Sequence, residues 1–255
     1  MIELHYASFV CLALVTVPVS WLMPRDIAFD AVALWTLAWL GGAFFTLRGL
    51  HVTLDWWMGR LQPPTLRDSF RYFFFLPVIA AGPINRMPHF QSQLRRRRWD
   101  LSMVGLGFER VLLGLILYYV ISGTGMSMMI ATAGNHLSAL PRFFELWGLS
   151  ALSWVHLFFA FAGSSHIALG ISLMSGLVLE ENFNRPWMAR NLLDFWTRWH
   201  MTLTRWVQDY VYQPVVGLTR KPVLGLLLAM LVIGLWHAFS LYYVLWAVWQ
   251  SLGIV

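Results

Sequence analysis

Apolar residues run through this chain in long blocks, separated by short polar punctuation. Residues 7–23 (ASFVCLALVTVPVSWLM), 31–47 and 111–132 are each long enough, or nearly so, to cross a hydrocarbon core of about 30 Å. Between the first two, PRDIAFD (24–30) predicts a short polar turn. The second block then changes character, because GGAFFTLRGLHVTLDWWMGR sets Arg48, His51 and Asp55 among aromatics. That pattern predicts a span that ends and continues along the interface as a polar network. Residues 72–82 (YFFFLPVIAAG) are too few to cross and end at Gly82-Pro83, which predicts a half-helix or re-entrant segment. Such a backbone is tolerated only where protein or a water-filled cavity covers it. A basic loop is expected from Asn85 to Asp100, then a long helix carrying Glu109 and Arg110 near its start, then a polar loop over 134–143. FELWGLSALSWVHLFFAFAG and HIALGISLMSGLVLE follow as apolar stretches interrupted by His156, Gly163 and His166. In the loop EENFNRPW (180–187), Pro186 suits the first turn of a following helix.

Residues 194–212, DFWTRWHMTLTRWVQDYVY, carry the densest mixture of charge and aromatic rings. Wound as one helix at 100° per residue, Asp194, Arg198, Arg205, Asp209 and Tyr212 fall within about 60° of arc. Trp196, Trp199, Leu203, Trp206 and Tyr210 fall opposite, at roughly 120° to 200°. His200 sits on the shoulder, near Thr197, Thr204 and Val207. Asp194–Arg198 and Arg205–Asp209 are i,i+4 pairs able to neutralise each other. A helix so divided lies along a membrane interface or dips into a polar cavity. From Pro222 to Val255 no Asp, Glu, Lys or Arg appears. One helix of that length would reach roughly 50 Å, too long for one span, so a break is expected near GLWHAFS, leaving His237 at a helix end deep in the membrane.

Composition supports the membrane reading. Hydrophobic residues make up 58% of the 255 and charged residues only 12%, against about half and a quarter in soluble domains. Mean hydropathy is +0.61. One transmembrane domain over residues 1–255 is expected, its first span retained rather than cleaved, since no basic stretch precedes it and no small-residue site follows. The net charge of +6 comes almost wholly from arginine, Lys221 being the sole lysine. In a membrane chain that excess belongs to cytoplasmic loops and not to nucleic acid, and Arg95, Arg96, Arg97 and Arg98 read as a loop beside anionic headgroups. Cys11, the single cysteine, excludes an intrachain disulfide. Fifteen tryptophans exceed what interface belts need, which leaves some to line a cavity.

Two histidines stand in the most unusual contexts, His200 and His237. An imidazole at membrane depth is costly without partners. With a pKa near 6.5 it can take a proton from a hydroxyl at neutral pH, so general-base chemistry is open to either; a plain hydrogen bond to a carbonyl is the alternative. No Ser-His-Asp spacing or G-x-S-x-G elbow supplies a covalent nucleophile, and no close His/Cys/Asp/Glu cluster suggests zinc. His156 and His166, ten residues apart, are helix-packing residues or, less economically, haem ligands.

The stretch ENFNRPWMARNLLDFWTRWHMTLTRWVQDYVY, with GLWHAFSLYYVLWAVW after it, resembles the membrane-bound O-acyltransferase (MBOAT) family. GAFFTLRGLHVTLDWWMGR and FFFLPVIAAGPINRMPHF are similar to two further family segments. The four motifs stand in family order over about residues 42–250. The branch resembled contains alginate O-acetyltransferases and the D-alanyl transfer proteins of teichoic-acid modification. The resemblance implies an all-α, multi-pass protein of the bacterial cytoplasmic (inner) membrane. Its fold would be a ring of tilted helices around a tunnel, with re-entrant and interfacial helices. It implies a catalytic role for His237 and a second functional role for His200. It further implies a funnel or tunnel lining drawn from Trp196, Arg198, Trp199, Thr204, Arg205, Asp209, Tyr210, Asn182, Pro83 and Trp236. The donor implied is an acyl thioester, on an acyl carrier protein docked at Arg95–Arg98 or on coenzyme A, with no tightly bound cofactor and no metal. The acceptor implied is a hydroxyl of an extracytoplasmic polymer, with accessory proteins of an envelope-modification system as partners.

This sequence departs from the family pattern in places. The usual G-L-W-H-G reads GLWHA, with Ala238 in the glycine's place. The Gly-Gly of alginate-type members reads PVVG, while NFNRP and YQPVVGLTRKP lean toward D-alanyl transfer. Family members are much longer, so further helices at both ends are expected. Two other readings stand beside acyl transfer to a polymer: transfer to a lipid or protein, and a non-catalytic membrane scaffold or transport component.

Overall fold

The computed structural model describes residues 42–79, 82–97, 99–138 and 141–255. The expected span at 7–23, most of that at 31–47, Cys11 and Arg98 lie outside the described residues. Two compact units divide the chain, 1–43 and 44–255, and the second holds everything below. Its described residues are helical, without a strand among them.

Helix α1 is described over residues 42–57, and α2 covers Leu66–Phe73. The Thr65 hydroxyl caps α2 by accepting from the Asp68 N–H at 3.1 Å. The half-helix expected over 72–82 is not formed: α2 stops at Phe73, and a single 3₁₀ turn, Leu76–Val78, follows. Pro77 bars a continuous helix here, since it lacks an N–H and its ring would clash with the Phe73 carbonyl four residues back. Gly82 lies against that turn so closely that a Cβ there would meet Val78 Cα at 2.5 Å.

The basic loop expected from Asn85 contains a helix, α3 (Met87–Arg95), opened by Pro88 in its first turn. Next comes α4 (Leu101–Leu115), capped by Asp100, whose carboxylate accepts from the Met103 N–H at 2.9 Å. It runs without interruption through a π-wound segment, Ile116–Met126, into α5 (Ser127–Leu137). The polar loop expected at 134–143 is therefore much shorter. Helix α6 then spans Arg142–Met174, 33 residues without a break. His156, Gly163 and His166, which interrupt the apolar pattern, sit within this unbroken helix, and Gly163 serves packing. A Cβ on Gly163 would fall 2.8 Å from the Gly114 carbonyl oxygen, and one on Gly114 would fall 2.7 Å from that of Gly163. Gly107 and Gly170 repeat the arrangement at 2.7 and 2.6 Å. Two glycine pairs seven residues apart on both helices thus bring α4 and α6 into backbone contact, the usual way helices associate in lipid.

Leu101–Gly134 and Phe144–Met174 are each long and apolar enough to cross a bilayer. After α6 the chain forms a 3₁₀ turn, Pro186–Met188, led by Pro186 as expected. Short helices α7 (Leu192–Trp196) and α8 (Met201–Val207), a π-wound turn Gln208–Tyr212 and α9 (Gln213–Thr219) follow. Helix α10 (Pro222–His237) and α11 (Leu241–Ile254) close the chain. The break falls where the length argument puts it. Ala238 is extended at φ −164°, a conformation open to any residue, so the family's glycine is not required there. Ser240 then caps α11, accepting from the Tyr243 N–H at 3.4 Å. The core gathers Trp196, Trp199, Leu203 and Trp206 against Met230, Ile233 and Ala247 of α10 and α11.

Candidate active site

The stretch 194–212 is not one helix. Its backbone breaks at His200, which takes a left-handed conformation (φ 43°, ψ 51°) between α7 and α8. Such a conformation is uncommon for a residue with a Cβ, and its cost is accepted where surroundings over-determine it. Here the Met201 N–H donates to the Asn182 carbonyl at 2.9 Å, and the Asn184 N–H to the Arg198 carbonyl at 2.9 Å. The Asn182 side chain is fully buried and bonded on both sides. Its Oδ1 accepts from the Thr202 hydroxyl at 2.7 Å, and its Nδ2 donates to Ser165 at 3.1 Å. Thr202 in turn accepts from the Ile84 N–H at 2.9 Å, beside the buried Pro83 turn.

The break turns the His200 imidazole inward, where it is only 3% exposed and not on a shoulder. Rings enclose it: Phe161 edge-on at 4.6 Å between centroids, Trp236 at 5.8 Å and Phe44 at 6.0 Å. Its Nε2 has no hydrogen-bond partner among the described residues. His237 is the last residue of α10 and is exposed. Its ring lies 4.7 Å from that of Trp236 and stacks on Tyr243 at 5.7 Å. The Trp236 indole therefore bridges the two histidines. Gly234 lets α11 approach at this point, since a Cβ would meet the Tyr243 carbonyl oxygen at 2.8 Å.

The tryptophan face is buried as expected: Trp196, Trp199, Leu203 and Trp206 are all in the core, with Tyr210 half-buried. Trp206 Nε1 donates to the Leu47 carbonyl at 3.1 Å, and Trp196 Nε1 to Gln250 Oε1 at 3.3 Å. Thr204 donates to the Trp199 carbonyl at 3.3 Å, closing the turn around His200. On the polar face, Arg198 Nε donates to Asp194 at 2.8 Å as the spacing predicts. The hydrogen bond from Arg198, and then one from the Arg190 backbone N–H, hold the Asp194 carboxyl well below the usual carboxylate range. The expected Arg205–Asp209 pair is absent. Arg205 bonds Glu180 at 2.9 Å and Asp209 bonds Arg86 at 2.8 Å, because the π-wound turn alters the spacing between them.

A second constellation was expected as an interfacial network, but its burial and its distant partners were not. Arg48, His51 and Asp55 are buried inside the protein rather than spread along an interface. The Met87 N–H donates to His51 Nε2 at 2.8 Å, so the ring proton resides on Nδ1. That nitrogen faces Asp55 at 3.0 Å and the Tyr210 hydroxyl at 2.8 Å. Arg86 donates to Tyr210 at 2.8 Å and lies over its ring. Arg48 donates to the Tyr72 carbonyl and lies 4.3 Å over the Tyr72 ring. One signal for this network was available: His51 and Asp55 are spaced i,i+4 on a helix. Their partner Tyr210 lies 159 residues away from His51. Among the described residues no cluster of three or more His, Cys, Asp or Glu gathers that could hold a metal.

Apolar helices of spanning length, packed through glycine pairs, with two histidines joined across a tryptophan at a helix break, define an all-helical membrane protein with a candidate reaction centre. The family model described as MBOAT, membrane-bound O-acyltransferase family, matches residues 57–255. The chain belongs to this family. It is 28% identical over 234 residues to a teichoic acid D-alanyltransferase of Streptococcus thermophilus, covering 86% of this chain and 56% of the relative. It is 31% identical over 223 residues to a probable alginate O-acetylase AlgI of Pseudomonas aeruginosa, covering 84% and 42%. A peptidoglycan O-acetyltransferase of Helicobacter pylori is 29% identical over 211 residues, covering 76% and 39%. The chain spans about half the length, or less, of these curated relatives.

Proposed function

We propose that the protein is a membrane-bound O-acyltransferase of a bacterial cytoplasmic membrane. It moves a small acyl group, of the acetyl or D-alanyl class, from a cytoplasmic thioester to a hydroxyl of an extracytoplasmic polysaccharide or teichoic-acid-type polymer. The observation that carries this reading is the placement of the histidines. His237 is exposed at the break between two apolar helices, and Trp236 links it to a buried His200. The neutral His237 imidazole takes the acceptor's hydroxyl proton as the hydroxyl oxygen attacks the thioester carbonyl. The C–O ester bond forms, the C–S bond breaks, and the departing thiolate takes the proton from the imidazolium. His200 orients the donor or stabilises the developing oxyanion through its ring N–H. The reading includes a ring of tilted helices around a tunnel, with Trp196, Trp199 and Trp206 packed beneath it and Arg198, Arg205 and Asp209 on the wet side. Arg95, Arg96 and Arg97, exposed where α3 ends, suit the docking of an acidic acyl carrier protein.

Proteoliposomes carrying the protein test this reading. They receive labelled acetyl or D-alanyl thioesters and an envelope polymer extract. Wild type labels the polymer, and His237→Ala, equally folded, loses at least about two orders of magnitude. Equal behaviour of the two proteins would instead favour a scaffold without chemistry.

A further inference from the structure

A groove of about 1000 Å³ lies away from the two histidines, between α2, α3 and the C-terminal end of α6. Phe74, Phe90, Leu94 and Ile171 contribute to its apolar lining, and Arg71 and Arg97 are its only charges among the described residues. Both arginines are exposed, and neither side chain makes an ion pair among the described residues. Two cations on one apolar groove, with no anionic side chain among the described lining residues, call for an anion attached to something oily.

The surroundings place the groove at a membrane surface. One candidate span ends at Met174 and the other begins at Leu101, at the same end of the α4–α6 pair. Trp99 joins them there, its Nε1 donating to the Met174 carbonyl at 3.0 Å while the residue stays exposed. An amphipathic ring at the end of two spans marks headgroup depth. Helix α2 adds to this. Leu66, Phe70 and Phe74 stand four residues apart on one exposed stripe, 88%, 65% and 56% open, with Arg67 and Arg71 beside them. Such a helix lies in the interface with its apolar stripe among acyl chains.

We propose that this groove binds one anionic phospholipid of the adjoining leaflet. Its phosphate sits between Arg71 and Arg97, and an acyl chain lies along Phe74, Phe90 and Ile171. The proposal rests on the membrane reading of the two long helices and shares Arg97 with the carrier-docking surface proposed above, but its test reads lipid binding alone and needs no acyl transfer. Protein purified in detergent and stripped of lipid is titrated with phosphatidylglycerol or phosphatidylcholine and read by native mass spectrometry. Wild type retains one phosphatidylglycerol in preference to phosphatidylcholine. In Arg71→Gln/Arg97→Gln that affinity falls about thirtyfold, the worth of two near-surface arginines. Arg95→Gln/Arg96→Gln, outside the groove, retains the lipid. A second probe keeps the test informative if the double variant fails to fold: Ile171→Trp, which fills the groove and leaves the charges, also loses it. Equal retention of both lipids, or undiminished binding by the arginine and Trp variants, overturns the proposal. So does displacement of the lipid by inorganic phosphate or by an acyl carrier protein at matched concentration.

Discussion

The imidazole of His200 meets the ring of Phe161 edge-on, 4.6 Å between centroids, while its Nε2 has no hydrogen-bond partner among the described residues. Three aromatic rings, Phe44, Phe161 and Trp236, surround it. A residue kept there for packing alone would serve as well with a carbocyclic ring, since burying a polar nitrogen unpaired costs free energy. His200→Phe is therefore expected to keep its melting temperature within a few degrees of wild type, while thioester-dependent transfer falls about 100-fold. Melting curves and transfer rates on the same preparations check this. Transfer that survives the substitution would reduce His200 to a structural residue.

The glycine pairs of α4 and α6 predict a stability effect distant from any chemistry. A Cβ on Gly114 or Gly163 meets the opposite backbone below 3.0 Å, and neither backbone can yield as a flexible side chain would. Gly114→Val and Gly163→Val should each destabilise by about 1–3 kcal/mol or more, through overpacking. Gly134, on the same run but with nothing within 4 Å, should accept Ala almost without cost. Detergent melting curves of the three variants separate these outcomes.

Thr202 is the hinge of the buried amide network. Its hydroxyl accepts from the Ile84 N–H and donates to Asn182 Oδ1. Thr202→Val preserves shape but strands both partners in a buried setting, at about 1–3 kcal/mol for each group left unpaired. Thr202→Ser keeps both bonds and loses only a methyl. The difference in unfolding free energy between the two variants measures the network, and near-equality would show that solvent reaches it.

What was legible in the sequence follows from which interactions are local. The tryptophan face of 194–212 was correct although the helix is broken, because α7, the turn and α8 keep the rings on one side. The break itself was hidden: His200 carries no glycine or proline to announce a left-handed residue, and its support comes from Asn182 and Thr202. The α10–α11 break was legible because charge-free length alone exceeds one span. The packing role of Gly163 was hidden because its partner, Gly114, stands on another helix. Helix α3 was masked by its arginines, although Pro88 marks its start. The Arg48–His51–Asp55 network looked interfacial because the residues that bury it, Tyr72, Arg86, Met87 and Tyr210, are distant in sequence.

Asp194 carries the pH dependence. It accepts from Arg198 Nε at 2.8 Å and from the Arg190 side chain and backbone at 3.2 Å, which lowers its pKa from the ordinary 3.8. As pH falls, the unfolded chain binds a proton at the ordinary value while the folded chain still holds a carboxylate. Protons therefore favour the unfolded state in that window. The stability this group contributes is complete above about pH 5 and is lost as pH falls below about 4 toward the folded value. Asp194→Asn has no charge to titrate. The melting temperature of wild type should exceed that of Asp194→Asn by a constant margin at neutral pH, and the margin should shrink on acidification below about pH 4. A margin that stays flat to the lowest pH tolerated would mean that the arginines beside Asp194 hold it no more tightly than water does.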